Sequence, residues 1–167
     1  ASGGGTGGAL TMVDGTVINS GTGTLDLDAD GNIVIGGLIT TNATGTAVNI
    51  ASANGSITDA VATGSTDSDV DITALSTNSV VTLIAKNDIG TVSGDSVYLD
   101  PADTGYAGNP LETAMLTASI TTSAVNSDIA IDNTSSGGLT ISALQPGGAG
   151  NAASAWIRNS AALDVSG

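Results

Sequence analysis

Apolar residues alternate with polar ones along most of this 167-residue chain, and this period of two is typical of β-strands with one buried face. Hardly any segment has the spacing of an amphipathic helix. The strand-like segments are short, and turns rich in Gly, Asn, Asp and Ser separate them. The sequence therefore predicts an all-β protein. The main alternating pairs are Leu25/Leu27, Val48/Ile50, Val70/Ile72, Val81/Leu83, Ile129/Ile131, Leu139/Ile141 and Leu163/Val165.

The spacing of these pairs indicates how the strands stack. The first three pairs begin at Leu25, Val48 and Val70, which are 23 and 22 residues apart. A repeat of about 20–25 residues without a helix is typical of a β-solenoid, in which successive coils stack about 4.8 Å apart. We therefore predict a parallel β-helix with coils of about 22 residues and inward columns of Val, Ile and Leu. A β-sandwich, which also contains many short strands, is the alternative.

One interval interrupts the repeat. Residues 97–115 contain two of the three Pro, both Tyr and the only Glu, so we expect a loop that projects from one coil. Such a loop is either a tolerated insertion or a contact surface. The whole chain, residues 1–167, is expected to form a single solenoid segment of a longer chain or fibre, with the Gly-rich residues 1–8 as its lead-in.

Charge and composition make several functions unlikely. Two cationic residues, Lys86 and Arg158, stand against 16 acidic ones, for a net charge of −14. Such a chain cannot neutralise phosphates, so we expect no nucleic acid as partner, and it has no apolar run long enough for a membrane span. The absence of His and Cys removes the usual proton shuttles, nucleophilic triads and zinc sites. We therefore expect no catalysis.

An acidic turn is the first candidate for binding a cation. Asp26, Asp28, Asp30 and Asn32 follow the order that opens a helix-loop-helix calcium loop. The position of the bidentate ligand in such a loop is Gly37, however, and the flanking helices are missing. A weak Ca²⁺ site made by these four side chains is one hypothesis. The alternative is a solvated acidic turn at the end of a strand.

A second acidic segment contains Asp67, Asp69 and Asp71. In the 22-residue register, Asp71 stacks near Asn49, and Asn49 stacks near Asp26. Carboxylates stacked this closely repel each other, so a cation between the coils would stabilise them. The alternative is a hydrated acidic face without a bound ion.

Three segments resemble the repeats of large bacterial exoproteins of the filamentous-haemagglutinin type. They are VTLIAKNDIGT at 81–91, NPLETA at 109–114 and LTASITTSAVNSDIAIDNTSSGGLTISAL at 116–144. The resemblance covers about residues 24–167. It implies a right-handed parallel β-helix that is secreted or displayed at the cell surface as an adhesin or extracellular fibre. No catalytic residues belong to the repeat pattern, so the resemblance implies none here.

These observations lead to one expected function and two alternatives. We expect a non-catalytic, structural and adhesive segment of an extracellular or cell-surface bacterial fibre. Its partners would be further repeats or copies of the same protein, paired through the open coil ends, and host or matrix glycans or proteins. The first alternative is a self-assembling filament subunit whose separate chains stack end to end. A polysaccharide-active β-helix enzyme is the second alternative.

Overall fold

The computed structural model describes residues 7–60, 69–91, 109–147 and 153–166. Within these ranges the protein has fifteen β-strands and no α-helix, so no described segment could cross a membrane as a helix. The strands are β1 (Leu10–Thr11), β2 (Ile18–Asn19), β3 (Leu25–Ala29), β4 (Ile33–Ile35), β5 (Leu38–Ile39), β6 (Gly45–Ser52), β7 (Ile57–Asp59), β8 (Ile72–Ala74), β9 (Ser79–Ala85), β10 (Leu111–Met115), β11 (Thr117–Thr122), β12 (Ile129–Asn133), β13 (Leu139–Gln145), β14 (Ala155–Asn159) and β15 (Leu163–Val165).

These strands form three sheets in which all neighbouring strands are parallel. Sheet X contains β1, β4 and β7; sheet Y contains β2, β5, β8, β10, β12 and β14; sheet Z contains β3, β6, β9, β11, β13 and β15. Single parallel bridges from Ile57 to Ile89 and from Ile89 to Ile129 extend sheet X into β12. The chain therefore contributes to each sheet in turn. Each new strand pairs with the strand that the chain contributed to the same sheet one turn earlier. This arrangement is consistent with a parallel β-solenoid.

Each pass through the sheets is called a coil here, and the described strands form six. Coil 1 contains β1 to β3, coil 2 contains β4 to β6, and coil 3 contains β7 to β9. Coil 4 contains Ile89, β10 and β11. In coil 5 and coil 6 a single strand, β12 or β14, serves both sheet X and sheet Y, and β13 or β15 completes the coil.

Stacked aliphatic side chains fill the interior. In sheet Z, Leu25, Val48, Val81, Ala118 and Ile141 pair in this order from coil to coil, and all five are buried. Each fully buried Val, Leu or Ile stabilises the fold by roughly 1.5–3 kcal/mol relative to an exposed one. These columns confirm most of the predicted interior, because Val48, Ile50, Ile72, Leu83, Ile129, Ile131, Leu139 and Ile141 are all buried.

The predicted register is wrong in coil 3. Val48 pairs with Val81 rather than with Val70, and Asn49 pairs with Thr82 rather than with Asp71. Val70 is only half-buried, and Asp71 is 2% exposed instead of lying on an outer face. The 22-residue interval between Val48 and Val70 is therefore a coincidence. Coil 3 contains extra residues between β7 and β8, so its sheet Z strand comes later in the chain.

Coils 3 and 4 both carry an insertion. The extra residues of coil 4 lie between Thr91 and Asn109, whose backbones bond to each other at N–O distances of 2.7 and 3.0 Å. The sequence predicted one projecting loop at 97–115. Residues 97–108 lie outside the described part of the chain, and the end of that interval, Leu111–Met115, is strand β10 in sheet Y. Of the predicted lead-in 1–8, only residues 7 and 8 are described.

The alternation along β9 gives a direct test of the inward and outward faces. Leu83 is fully buried between Ile50 and Ile120, whereas its neighbour Thr82 is on the outer face and half-buried. We expect Leu83→Asp to lower the free energy of unfolding by about 3 kcal/mol or more, because it places an unpaired charge in a packed interior. Thr82→Asp is the matched control and should change it by less than about 1 kcal/mol. Equal losses in urea unfolding would contradict this assignment of faces.

Candidate functional site

Three carboxylates meet at the corner between sheets X and Y. Asp59 is the last residue of β7, Asp71 immediately precedes β8, and Glu112 lies in β10. One carboxylate oxygen from each residue lies within 4.8 Å of the other two. Asp59 and Asp71 are buried and Glu112 is half-buried. In the described part of the chain, no other three His, Cys, Asp or Glu side chains form such a group. We call these three residues the acidic triad.

Stacking of adjacent coils brings the triad together. Strand β8 pairs with β10, so the backbone N–H of Asp71 donates to Glu112 O at 2.7 Å. The backbone N–H of Glu112 donates in turn to Asp71 Oδ2 at 2.9 Å. Asn109 Nδ2 donates to Asp59 Oδ2 at 3.0 Å. Asp59 and Asp71 flank the insertion of coil 3, and Asn109 and Glu112 follow that of coil 4. The bases of both insertions therefore meet at the triad.

Burial controls the protonation of Asp71. Its removal from water raises the pKa of its carboxyl group to about 10, and the nearby negative charges of Asp59 and Glu112 and a hydrogen bond with the Asp59 side chain act in the same direction. The hydrogen bond from the backbone N–H of Glu112 opposes this shift but is outweighed. At neutral pH the Asp71 carboxyl group therefore keeps its proton.

The stack of charged side chains continues beyond the triad. Glu112 pairs with Asp132 across β10 and β12, and Asp132 pairs with Arg158 across β12 and β14. Arg158 Nε donates to Asp132 Oδ1 at 2.9 Å, and its Nη2 contacts Oδ2. These hydrogen bonds from Arg158 raise the pKa of its own guanidinium group. The single arginine of the chain therefore pairs directly with Asp132, and the charge of Glu112 also contributes to the raised pKa of Arg158.

The triad can relieve its negative charge in two ways. One is the retained proton of Asp71, which hydrogen-bonds the carboxyl group to Asp59. The other is a divalent metal ion, because carboxylate oxygens are preferred ligands of Ca²⁺ and Mg²⁺. Three carboxylates within 4.8 Å could hold such an ion. A bound ion would compete with the proton, since it requires ionised ligands.

The predicted calcium ligands occupy a different part of the molecule. Asp26 and Asp28 lie at exposed positions of β3, and Asp30 and Asn32 lie in the turn between β3 and β4. Asp26 Oδ1 accepts a hydrogen bond of 2.8 Å from Asn49 Nδ2, which confirms the predicted stacking of these two residues.

The other oxygens of this turn also bond to neighbouring coils. Asp30 accepts from Gly7 N at 2.8 Å and from Asn54 Nδ2 at 2.6 Å, and these bonds lower the pKa of Asp30. Asn32 Oδ1 accepts from Ser56 N at 3.0 Å. The role of these residues as calcium ligands stays a prediction. In the second acidic segment, Asp67 lies outside the described residues and Asp69 is exposed.

Sequence reasoning missed Asp59 and Glu112 as site residues. One signal was present, because Asp59 ends the segment Ile57–Asp59 at the position that Ile35 occupies in the paired segment Ile33–Ile35. An acidic residue in an inward column of a repeat needs a compensating partner. Asn109, which donates to Asp59, is 50 positions further along the chain and Glu112 is 53 positions further, so only the pairing of coils reveals this group.

Comparison of the chain with models of protein families, with curated proteins and with solved structures finds no match. The resemblance to filamentous-haemagglutinin-type repeats therefore stays a prediction. The function of this chain has to be inferred from its own fold and its own side chains.

The raised pKa of Asp71 predicts a dependence of stability on pH. The native state holds a proton that the unfolded chain releases above its ordinary pKa of 3.8. The stabilisation is complete below about pH 4 and is lost as pH rises towards 10, at most by about 1.4 kcal/mol per pH unit for one proton. We expect Asp71→Asn to flatten this slope and to be more stable than wild type at pH 8. Urea unfolding at pH 4, 6 and 8 measures both effects.

The control for this experiment is Asp28→Asn, which removes one carboxylate from an exposed position of β3. Like Asp71→Asn it replaces one carboxyl group by an amide, but outside the acidic triad, so it should leave the slope of wild type in place while Asp71→Asn flattens it. Equal slopes for wild type, Asp71→Asn and Asp28→Asn would contradict a shared proton at the triad.

Divalent cations provide a further prediction. We expect calcium to raise the melting temperature with saturation, and more strongly at pH 8 than at pH 5, because the ion displaces a proton. Calcium at 100 times its Kd would add about 2.7 kcal/mol. Asp71→Asn should weaken this response, whereas Asp28→Asn/Asp30→Asn should retain it. The reverse result would assign the ion to the acidic turn. If sodium at equal ionic strength reproduces the whole effect, diffuse screening explains it and neither site binds calcium.

Proposed function

We propose that this chain is a non-catalytic, structural and adhesive segment of a bacterial extracellular or cell-surface fibre. In this proposal the fold is a right-handed parallel β-solenoid, the hand that nearly all parallel crossover connections adopt. The observation that carries the proposal is the stack of six parallel coils with both insertions based at one corner. Such a stack is a short rod, about 24 Å from the first coil to the last at the usual strand spacing.

Side-chain hydrogen bonds between coils support a rigid rod. At the turn that precedes sheet X, the side-chain oxygen of each coil accepts the backbone N–H of the next coil. The bonds run from Ser56 N to Asn32 Oδ1 at 3.0 Å and from Asp88 N to Ser56 Oγ at 3.3 Å. They continue from Asp128 N to Asp88 Oδ1 at 2.9 Å and from Ser154 N to Asp128 Oδ1 at 2.7 Å. We call these five residues the turn column.

The positions of the insertions support an adhesive role. Insertions in solenoids commonly form the binding face, because the coils hold their ends in fixed positions. Here two insertions leave adjacent coils at the same corner, and their bases are joined by the bonds of Asp59, Asp71, Asn109 and Glu112. Two insertions whose described ends lie together at one corner suit contact with a host or matrix surface.

The high negative charge suits an extracellular setting. Extracellular modules bind calcium with Kd values of about 10⁻⁴–10⁻³ M. A protein with a net charge of −14 and a triad of carboxylates would be stabilised at calcium concentrations of this order. Calcium would then act as a structural ion at the bases of the insertions.

A filament subunit is the second candidate function. Leu163 is 43% exposed and Val165 is 51% exposed at the edge strand of coil 6, where they would be covered by another coil. Edge strands with exposed apolar side chains favour pairing with further strands. The same edge would serve a continuous fibre and a stack of separate chains.

Deletion of the larger insertion tests the adhesive role. Residues 92–108 can be replaced by Asn-Gly, because Thr91 and Asn109 already pair as the two arms of an antiparallel turn. We expect this variant to remain folded and to lose at least tenfold in affinity for host-cell surfaces, matrix proteins or glycan arrays to which the wild type binds. Thr140→Glu, on the outer face of β13, is the control and should bind normally. Wild-type protein that binds none of these surfaces, or that releases reducing ends from a glycan, would contradict the proposal.

A further inference from the structure

The two open edges of the stack differ in the side chains they present. In sheet Y, one inward column runs through Ile18, Leu38, Ile72, Thr113, Asn133 and Asn159 from coil 1 to coil 6. Its first three members are apolar and its last three are polar. The column thus ends with an isoleucine at the edge of coil 1 and with an asparagine at the edge of coil 6.

The polar half of this column is a chain of hydrogen bonds in one direction. Thr113 Oγ1 donates to Asn133 Oδ1 at 2.9 Å, and Asn133 Nδ2 donates to Asn159 Oδ1 at 2.8 Å. Asn133 is fully buried and makes two further bonds with the backbone of Met115, so both its oxygen and its amide nitrogen are satisfied. Each member donates to the oxygen of the next coil.

Asn159 repeats the position of Asn133 without a next coil. It accepts from Asn133 and donates one Nδ2 hydrogen to Ala162 O at 2.7 Å. Its second Nδ2 hydrogen has no acceptor among the described residues. In the turn column, Ser154 is the last member, and its backbone N–H donates to Asp128 Oδ1.

Coil 1 of a second copy does not complete these bonds. Continuation of the sheet Y register would place Ile18 over Asn159, and an isoleucine cannot accept a hydrogen bond. A buried amide N–H without an acceptor weakens association by about tenfold or more. Two molecules that each carry a net charge of −14 also repel.

We infer that the edge of coil 6 binds a further parallel coil whose asparagine side chain accepts the second N–H of Asn159, and that coil 1 of a second copy is not that coil. This inference rests on the proposed function as a solenoid segment. It adds which side chain the next coil presents to Asn159. It favours a fibre of continuous coils over a stack of identical chains.

The test adds one coil to the full chain. Residues 121–147, appended after Gly167, continue the register because Val165 occupies the place of Ala118 in the sheet Z column. The added copy of Asn133 then lies over Asn159. The comparison proteins carry the same addition with Asn133→Leu or with Asn133→Thr in the added copy, or carry residues 5–29 of coil 1 instead. Hydrogen exchange of the backbone amides of Ala155–Asn159 is measured, and the amides of Val81 and Leu83 report that the parent coils remain folded.

The asparagine coil should protect the amides of Ala155–Asn159 at least tenfold more than the Asn133→Leu coil or the coil 1 segment does. The Asn133→Thr coil retains an acceptor oxygen, as Thr113 does in the same column, and should protect nearly as well as asparagine. Equal protection by all four additions would overturn the asparagine pairing and leave the proposed rod intact. No protection by any addition would overturn both this inference and the proposed function as a solenoid segment.

Discussion

Parallel stacking places each residue next to its own counterpart in the neighbouring coils, about 4.8 Å away. A column is therefore stable only if its side chains pack against one another without charge repulsion. Aliphatic side chains do, and Leu27, Ile50 and Leu83 form a continuous inward column. Acidic side chains do not, and on the outer face Asp26 is followed by Asn49 and then by Thr82 rather than by further carboxylates. At these positions neutral polar residues separate the acidic side chain from further carboxylates.

The acidic triad breaks this rule, as do the neighbouring carboxylates Glu112/Asp132 and Asp88/Asp128. Asp71 and Glu112 occupy neighbouring coils, and Asp59 approaches them from the end of β7. The proton retained by Asp71 relieves their repulsion instead of spacing, which couples this corner to pH, and we expect a divalent cation to be able to replace that proton. Because the corner also forms the bases of both insertions, the same group of side chains holds the described ends of the two insertions together. The polar columns of the turn and of sheet Y give the rod a direction, since each coil donates to or accepts from the next in a fixed sense.

Local pattern predicted the interior well where coils follow one another without insertions. Leu25 and Val48 pair at an interval of 23 residues, and Leu139 pairs with Leu163 as the repeat suggests. The prediction failed at Val70 because the extra residues of coil 3 happen to place an alternating pair at nearly the same interval. Alternation reports which face a side chain occupies, but it does not report which strand lies beside it. The acidic turn around Asp28 was chosen for its local spacing, and its oxygens instead bond to neighbouring coils or face solvent.

The sequence by itself determined the strand content and the inward and outward faces of most strands. These properties follow from periodicity and composition, which are local or additive. Only the tertiary structure decided which coils carry insertions and which carboxylates meet. Asp71 and Glu112 are 41 residues apart and are joined through the pairing of β8 with β10, so their contact depends on a long-range register. The buried proton of Asp71 depends on this pairing, and the end of the sheet Y column at Asn159 depends on the pairing of β12 with β14. The residues adjacent in the chain determine neither feature.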